Sequence, residues 1–180
     1  MKKLLIVGIL VALLFVAMPA MANSLAQYHL YAGQNIHVGD VGVYQDSGNL
    51  IVGFDMDEGW YVNETHLAVK QYDWQIPQKK GNPIPGKFQY SMAYEIPENS
   101  DTDAYPIPMP GYSPMHIAFQ ADVVHAATPG VGAPAGEALF PPPTIVYDQE
   151  EGAWAAETDP GTLAFGGSNW ATYFHYPRLE

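Results

Sequence analysis

Glycine and proline recur along the whole chain and divide it into short segments. The 180 residues include 17 glycines and 16 prolines, and no segment between them carries the apolar stripe of an amphipathic helix. Several segments instead alternate apolar and polar residues, as half-buried strands do. The clearest is 115–123, where Met115, Ile117 and Phe119 alternate with His116 and other neighbours. The pattern therefore predicts an all-β fold.

The candidate strands are short and are separated by turns about every 8–12 residues. They are 36–38, 41–44, 50–54, 60–69, 88–96, 105–107, 115–123, 154–157 and 169–176. This spacing predicts an antiparallel β-sandwich, with a closed β-barrel as the alternative, and aromatic side chains would fill the interior. Residues 23–180 are expected to form one domain, in which the Ala-, Pro- and Gly-rich segment 126–143 is a long loop.

The first 22 residues have the pattern of a secretory signal peptide. Two lysines precede an apolar run at 4–17, and an Ala-Met-Ala cleavage site follows at 20–22. The run is about 14 residues long, short of the roughly 20 needed to cross a bilayer, so we expect cleavage instead of anchoring. No later segment is long and apolar enough to span a membrane. The mature protein is therefore expected to be secreted or held at the cell surface.

The charge and the absence of cysteine exclude several classes of function. The formal net charge is −12, and it becomes −14 when Lys2 and Lys3 leave with the signal peptide. Such a surface disfavours nucleic acids, which are bound through clusters of Lys and Arg. The chain has no cysteine, so disulfides, thiolate metal sites and cysteine nucleophiles are ruled out. A cysteine-free exported domain is typical of a prokaryotic source.

Three motifs carry a resemblance to a known family. They are Trp-Tyr followed by Glu-Thr-His-Leu within 60–67, Gly-Asn-Pro-Ile-Pro-Gly at 81–86, and Asn-Trp-Ala-Thr-Tyr-Phe at 169–174. The chain resembles, over roughly 36–176, an uncharacterised family of exported and surface proteins of archaea and bacteria, often found as modules of larger surface chains. The resemblance implies a β-sandwich at the cell surface and no particular activity. Relatives often carry histidine at the position of Gln120, and many contain cysteine.

Glu64 and His66 are the first candidate site. They are two residues apart on a predicted strand, so their side chains project from the same face. A carboxylate beside an imidazole can bind a metal or act as an acid–base pair. A third ligand would have to come from His37, His116 or His125. The alternative is a structural polar pair that orders the loop at 81–86.

Asp55, Asp57 and Glu58 form an acidic turn that could supply oxygen ligands to Ca²⁺. The turn lacks the rest of an EF-hand loop, and a solvated hairpin tip is the alternative interpretation. We expect no bound cofactor, with Ca²⁺ at this turn as the alternative. Asn63 begins an Asn-Glu-Thr sequon, which predicts glycosylation where the host has the enzymes for it.

The polar segment 70–86 offers a candidate ligand-binding surface. Trp74 lies in this segment and is expected to be exposed, where its ring could stack on a sugar. Asn82, Pro83 and Pro85 belong to a rigid loop that could either recognise a ligand or cover a sheet edge.

No motif of a known catalytic class is present in the sequence. The expected function is therefore a secreted, non-catalytic structural or binding module of the cell envelope, whose partner would be a surface glycan or another copy of the chain. One alternative is a metal-binding or hydrolytic enzyme centred on Glu64 and His66. Another is a subunit of an extracellular filament or layer, in which residues 126–143 pair with a neighbour.

Overall fold

The computed structural model describes residues 25–126, 147–156 and 163–177. The predicted signal peptide at 1–22 and, apart from Ala126, the predicted loop at 126–143 lie outside these ranges. The described strands are β1 Ala26–Ala32, β2 Ile36–Asp46, β3 Asn49–Met56, β4 Trp60–Lys70, β5 Gln78–Lys79, β6 Asn82–Pro83, β7 Tyr90–Glu98, β8 Ser100–Pro108, β9 Met115–Ala126, β10 Tyr147–Ala156 and β11 Phe174–Tyr176. Two single-turn 3-10 helices are η1 Asp73–Gln75 and η2 Pro85–Lys87. No helix within this described part is long and apolar enough to span a bilayer.

Nine of the strands form one antiparallel sheet that is nearly closed into a barrel. The order is β7-β4-β9-β10-β1-β2-β3-β8, and the two outermost strands, β7 and β8, follow each other in the chain around Asn99. β5 and β6 form a separate small hairpin. The predicted all-β, antiparallel class is confirmed, and the architecture corresponds to the barrel that the sequence left open beside a sandwich.

β11 completes the wall of the barrel beside β9. β10 pairs with β9 over 120–126, and β11 pairs with its other end over 115–117. β11 also contacts the first described strand, since the hydroxyl of Tyr28 donates to the carbonyl of His175 at 2.7 Å. The ring of Tyr28 stacks on Phe174 with a centroid distance of 3.7 Å. The predicted strand at 169–176 is therefore a strand only at its last three residues.

Large apolar side chains fill the interior of the barrel. Leu30, Val52, Phe54, Phe119 and Phe174 are all buried there, and they belong to one continuous cluster contributed by strands all round the sheet. Burying this much apolar surface is the main favourable term in the stability of a chain that has no disulfides. The interior is thus a packed core.

A second apolar cluster lies on the outside of β4, β9 and β10. Ala68, Ala118 and Trp154 project outward from these strands, and side chains from the segments 71–89 and 163–173 cover them. The covering residues are Ile76, Phe88, Phe165 and Ala171, with Trp170 and Tyr173 at the edge. The two covering segments are joined, because the backbone N–H of Asn169 donates to the side-chain oxygen of Asn82 at 3.0 Å.

Two of the register shifts between the described strands change which side chains face outward. Where β1 pairs with β2, the register shifts between Leu30 and Tyr31 of β1. Val38 is therefore an extra residue in β2, with no residue paired to it in β1. Opposite β9, the register shifts between Val62 and Glu64. Val62 is consequently buried in the core with Thr65. Regular alternation along the predicted strand 60–69 would place Val62 and Thr65 on opposite faces, so it fails at the start of this strand.

Candidate functional sites

The irregularity in β2 brings three metal-ligating side chains together on the outside of the barrel. In a regular strand, His37 and Asp40 would project from opposite faces, since they are three residues apart. The extra residue Val38 reverses the alternation, and Val38 and Val41 both face the core. His37 and Asp40 then share the outer face with His29 of the neighbouring β1. Gly39 allows this path, with a φ of +155° that side-chain-bearing residues rarely adopt.

The donor atoms of these three residues form a small triangle. His29 Nδ1 lies 2.8 Å from Asp40 Oδ1, and His37 Nε2 lies 3.4 Å from the same oxygen. The two imidazole nitrogens are 3.1 Å apart. The three side chains are 43%, 36% and 32% exposed for His29, His37 and Asp40, respectively, so solvent and ions can reach them. From the sequence, His37 is a candidate only as a third ligand for Glu64 and His66, and no pattern points to His29 or Asp40.

The three acidic residues of the turn at 55–58 lie in different surroundings and do not form a single oxygen-lined loop. The carboxylate of Asp57 contacts the other ring nitrogen of His37, with 2.7 Å between Oδ2 and Nδ1. Asp55 lies directly opposite Asp40 in the ladder between β2 and β3. Glu58 is exposed in the turn after β3. Among the described residues, the groups able to hold a metal include neither Asp55 nor Glu58, and predicted Ca²⁺ binding at this turn stays a prediction.

Glu64 and His66 lie on the outer face of β4, as expected from their spacing. Glu64 Oε1 is 3.4 Å from His66 Nε2, and a third ligating residue, Asp122 of β9, lies directly opposite Glu64. Donor atoms of all three residues lie within 4.8 Å of one another. Asp122 also accepts a hydrogen bond of 2.7 Å from the amide of Gln120, which lies opposite His66. The third ligating residue beside Glu64 and His66 is thus the carboxylate of Asp122 and not one of the predicted histidines.

The other candidate histidines lie elsewhere on the barrel. His116 packs against His175 with a ring-centroid distance of 4.3 Å, and burial lowers the pKa of His116, with a further decrease from His175. His125 Nδ1 contacts Asp148 Oδ1 at 2.9 Å. Neither histidine joins Glu64 and His66 in the groups of ligating residues that the described part contains.

Trp74 is exposed, in line with the expectation from its polar surroundings. Its surface is 68% accessible, and the neighbouring Tyr72 is 46% accessible. Their rings are nearly parallel, at 8°, with centroids 5.8 Å apart. The pair therefore presents two aligned aromatic rings to solvent.

The turn that carries this aromatic pair is fixed by hydrogen bonds on both sides. The backbone N–H of Tyr72 donates to Gln75 Oε1 at 3.1 Å, and that of Trp74 donates to Asp73 Oδ1 at 2.8 Å. The hydroxyl of Tyr173 donates to the same carboxylate at 3.4 Å. Burial and the neighbouring Asp73 raise the pKa of Tyr173, which keeps this hydroxyl protonated.

The loop at 81–86 is largely engaged in packing. Pro83 is buried and Pro85 is half-buried, while Asn82 uses its side-chain oxygen to hold the segment around Asn169. Asn63 is half-buried at the register shift of β4. Trp74 is thus the most accessible of the residues predicted to bind a ligand. Binding at Asn82, Pro83 and Pro85 and glycosylation at Asn63 stay predictions.

Comparison of the chain with models of protein families, with curated proteins and with solved structures found no match. The family resemblance of the three motifs therefore stays a prediction.

Proposed function

We propose that the chain is an exported, non-catalytic binding module of the cell envelope and that it binds surface glycans through Trp74 and Tyr72. The observation that carries the proposal is the pair of exposed, nearly parallel rings on one fixed turn. Exposed large apolar groups next to each other are typical of interaction sites. The signal-peptide pattern at 1–22 supports a location where such glycans occur.

The chemistry of the turn suits a sugar better than a purely apolar ligand. A pyranose ring has C–H groups that pack on an aromatic face and hydroxyls that need polar partners. Asp73 lies between the two aromatic residues in sequence and Gln75 follows them, so a carboxylate and an amide lie on the same turn as the rings. Because hydrogen bonds already fix the turn, binding would cost little additional conformational entropy. The packed interior directs binding to the outer surface.

Cosedimentation with insoluble polysaccharides and with purified prokaryotic cell walls tests this proposal. We expect Trp74→Ala to weaken binding about fivefold or more, since losing an aromatic contact of this size commonly costs more than about 1 kcal/mol. Tyr72→Ala should weaken binding to a smaller extent. The matched control is Ile96→Ala, which removes another exposed apolar side chain (72% accessible) on β7. Equal binding by the wild type and Trp74→Ala, or no wild-type binding to any of these materials, would contradict the proposal.

A metal-binding or hydrolytic function centred on Glu64 and His66 is the second candidate. The observation in its favour is that Asp122 joins the pair, so two carboxylates face each other across the ladder beside an imidazole. Like charges directly opposite each other are unfavourable, and a cation between them would relieve the repulsion. We expect His66→Ala to lower the zinc or copper content of protein purified after metal loading, with Asp122→Asn as a second variant. Metal content unchanged in both variants would remove this candidate.

A further inference from the structure

We propose that His29, His37 and Asp40 form a binding site for a divalent transition-metal ion of the zinc type. This inference concerns a different surface from Trp74 and does not depend on glycan binding. It rests on the donor geometry, on the carboxylate behind His37, and on the charges that surround the three residues.

The donor triangle has the dimensions of three corners of a metal coordination sphere. Zinc binds imidazole nitrogen and carboxylate oxygen at about 2.0–2.2 Å, and tetrahedral angles then place two donors roughly 3.3 Å apart. The observed separations are 2.8 Å, 3.1 Å and 3.4 Å. One ion can therefore contact His29 Nδ1, His37 Nε2 and Asp40 Oδ1 after small side-chain adjustments. A tetrahedral ion would have a fourth corner for water, which can reach the part-exposed side chains.

The donor types select the kind of ion. Two imidazoles and one carboxylate suit zinc and other first-row transition metals. Ca²⁺ and Mg²⁺ prefer oxygen ligands throughout, and here only one of the three donors is an oxygen. The site thus differs in chemistry from the Ca²⁺ turn that the sequence suggested at Asp55, Asp57 and Glu58.

Asp57 gives His37 the arrangement typical of a metal ligand. Histidines that bind metal commonly donate their other N–H to a carboxylate, which fixes the ring and the tautomer. The 2.7 Å contact between His37 Nδ1 and Asp57 Oδ2 has this form and leaves Nε2 with a lone pair directed at His29 and Asp40. The turn after β3 therefore acts as a support for the site.

The charges around the site favour a cation. Asp40 and Asp55 lie directly opposite each other across β2 and β3, an arrangement that is unfavourable for two carboxylates. The chain as a whole has a net charge of −12, which raises the local concentration of cations near its surface. A bound dication would offset the repulsion between Asp40 and Asp55.

Isothermal titration of chelator-treated protein with Zn²⁺ tests the site. We expect the binding isotherm to contain a component for one ion at this site. His37→Ala and His29→Gln should each weaken it by about 100-fold. Asp57→Asn keeps all three donors and should weaken binding by about 10-fold, within the range known for supporting carboxylates. Co²⁺ should give visible absorption of a tetrahedral centre in the wild type, and the bands should be lost in His37→Ala.

His125→Ala is the matched control. It removes another part-exposed histidine, which contacts Asp148 at 2.9 Å, and should leave zinc binding unchanged. His66→Ala should leave this component unchanged as well, which separates it from the Glu64 group. Absence of saturable binding to folded wild type up to millimolar Zn²⁺ would show a hydrogen-bonded cluster only and would overturn the proposal. So would zinc binding that persists unchanged in both His29→Gln and His37→Ala, and circular-dichroism melts identify any variant that fails to fold.

Discussion

At the scale of single residues, the core contains a polar contact that bridges the barrel. Thr65 is fully buried, and its hydroxyl lies 2.7 Å from the hydroxyl of Tyr105, which also donates to the Thr65 carbonyl at 3.2 Å. These groups belong to β4 and β8, which are not neighbours in the sheet. Buried polar groups that satisfy each other across an interior fix the relative position of the strands that carry them.

We expect Tyr105→Phe to lower the free energy of unfolding by about 1–2 kcal/mol, because it leaves the Thr65 groups with fewer partners in a buried place. The loss should lie near the lower end, since the neighbouring Tyr94 is also within hydrogen-bonding reach of Thr65. Urea denaturation measures the change, with Tyr72→Phe on the surface as the control. Equal stability of the two variants would show that this contact contributes nothing.

The pH dependence of stability should carry a contribution from His116. Burial and His175 lower its pKa, against weaker opposing effects of the Gln71 backbone and Asp73, and Lys70 lies opposite in the ladder. The folded state then binds fewer protons than the unfolded state, so this contribution is present above pH about 6.5 and is lost as the pH falls below it. We expect the Tm of His116→Gln to fall less than that of the wild type between pH 8 and pH 5. Parallel Tm curves would contradict this.

The sequence identified some site residues and missed others for a clear reason. Trp74 could be predicted because a polar, proline-rich segment offers no apolar surface for its ring. His29 and Asp40 could not, because regular alternation separates Asp40 from His37 and no pattern identified the strand that carries His29. Gly39 is the only local sign of the irregularity in β2, and a glycine beside an aspartate is equally typical of a turn.

At the scale of strands, glycine allows β8 to approach β3 closely. Gly53 lies at the register shift between these strands, and a Cβ added there would overlap the carbonyl oxygen of Asp101 and lie 2.5 Å from that of Thr102. Both atoms belong to the backbone of β8, which leaves little room for relaxation. The pairing of the edge strand β8 therefore depends on the missing side chain.

We expect Gly53→Ala to destabilise the protein by about 1–3 kcal/mol through this overlap, as overpacked sites do. Gly86→Ala is the matched control, because a Cβ there would meet nothing within 4 Å. Thermal unfolding of both variants measures the difference. A Gly53→Ala protein as stable as Gly86→Ala would show that β8 can shift without cost.

Most strands could be predicted from the sequence, whereas their irregularities could not. Segment 115–123 alternates clearly and lies within β9, and the apolar run 50–54 lies within β3. The residues at 169–173 look equally strand-like in sequence, but their apolar rings cover the outer cluster instead of pairing along β9. β1 was not predicted, although it lies between two other strands of the sheet. Whether such segments form strands depends on pairing partners that are far away in the chain.

At the scale of the whole molecule, β4 and β9 are covered by apolar groups on both sides. Phe119 faces the interior, while Phe165 closes the outer cluster above the same strands. Alternation alone could not distinguish a barrel from a sandwich, since both place every second side chain inward. The choice depends on which strands pair at the edges, and the sequence pattern does not contain this information.

We expect Phe119→Ala to lower the free energy of unfolding by about 3–5 kcal/mol, because it opens a cavity in the rigid interior. Phe165→Ala should cost less, since the segment 163–173 can open locally while the barrel stays folded. Hydrogen exchange measured by mass spectrometry would distinguish the two effects. Faster exchange in β9 but not in 163–173 for Phe165→Ala would contradict the expected local opening.

The position of β11 has a consequence for how the chain folds during synthesis. β11 pairs with β9 and contacts Tyr28 of β1, so these earlier strands gain a partner only after a later segment of the chain has been made. During synthesis, an intermediate that ends at Ala156 lacks the strand that pairs with Met115 and Ile117, so the core beside these two residues is open to water. Such intermediates are natural targets for proteases and chaperones. We therefore expect resistance to proteases to appear in one step, when Phe174 packs against Tyr28.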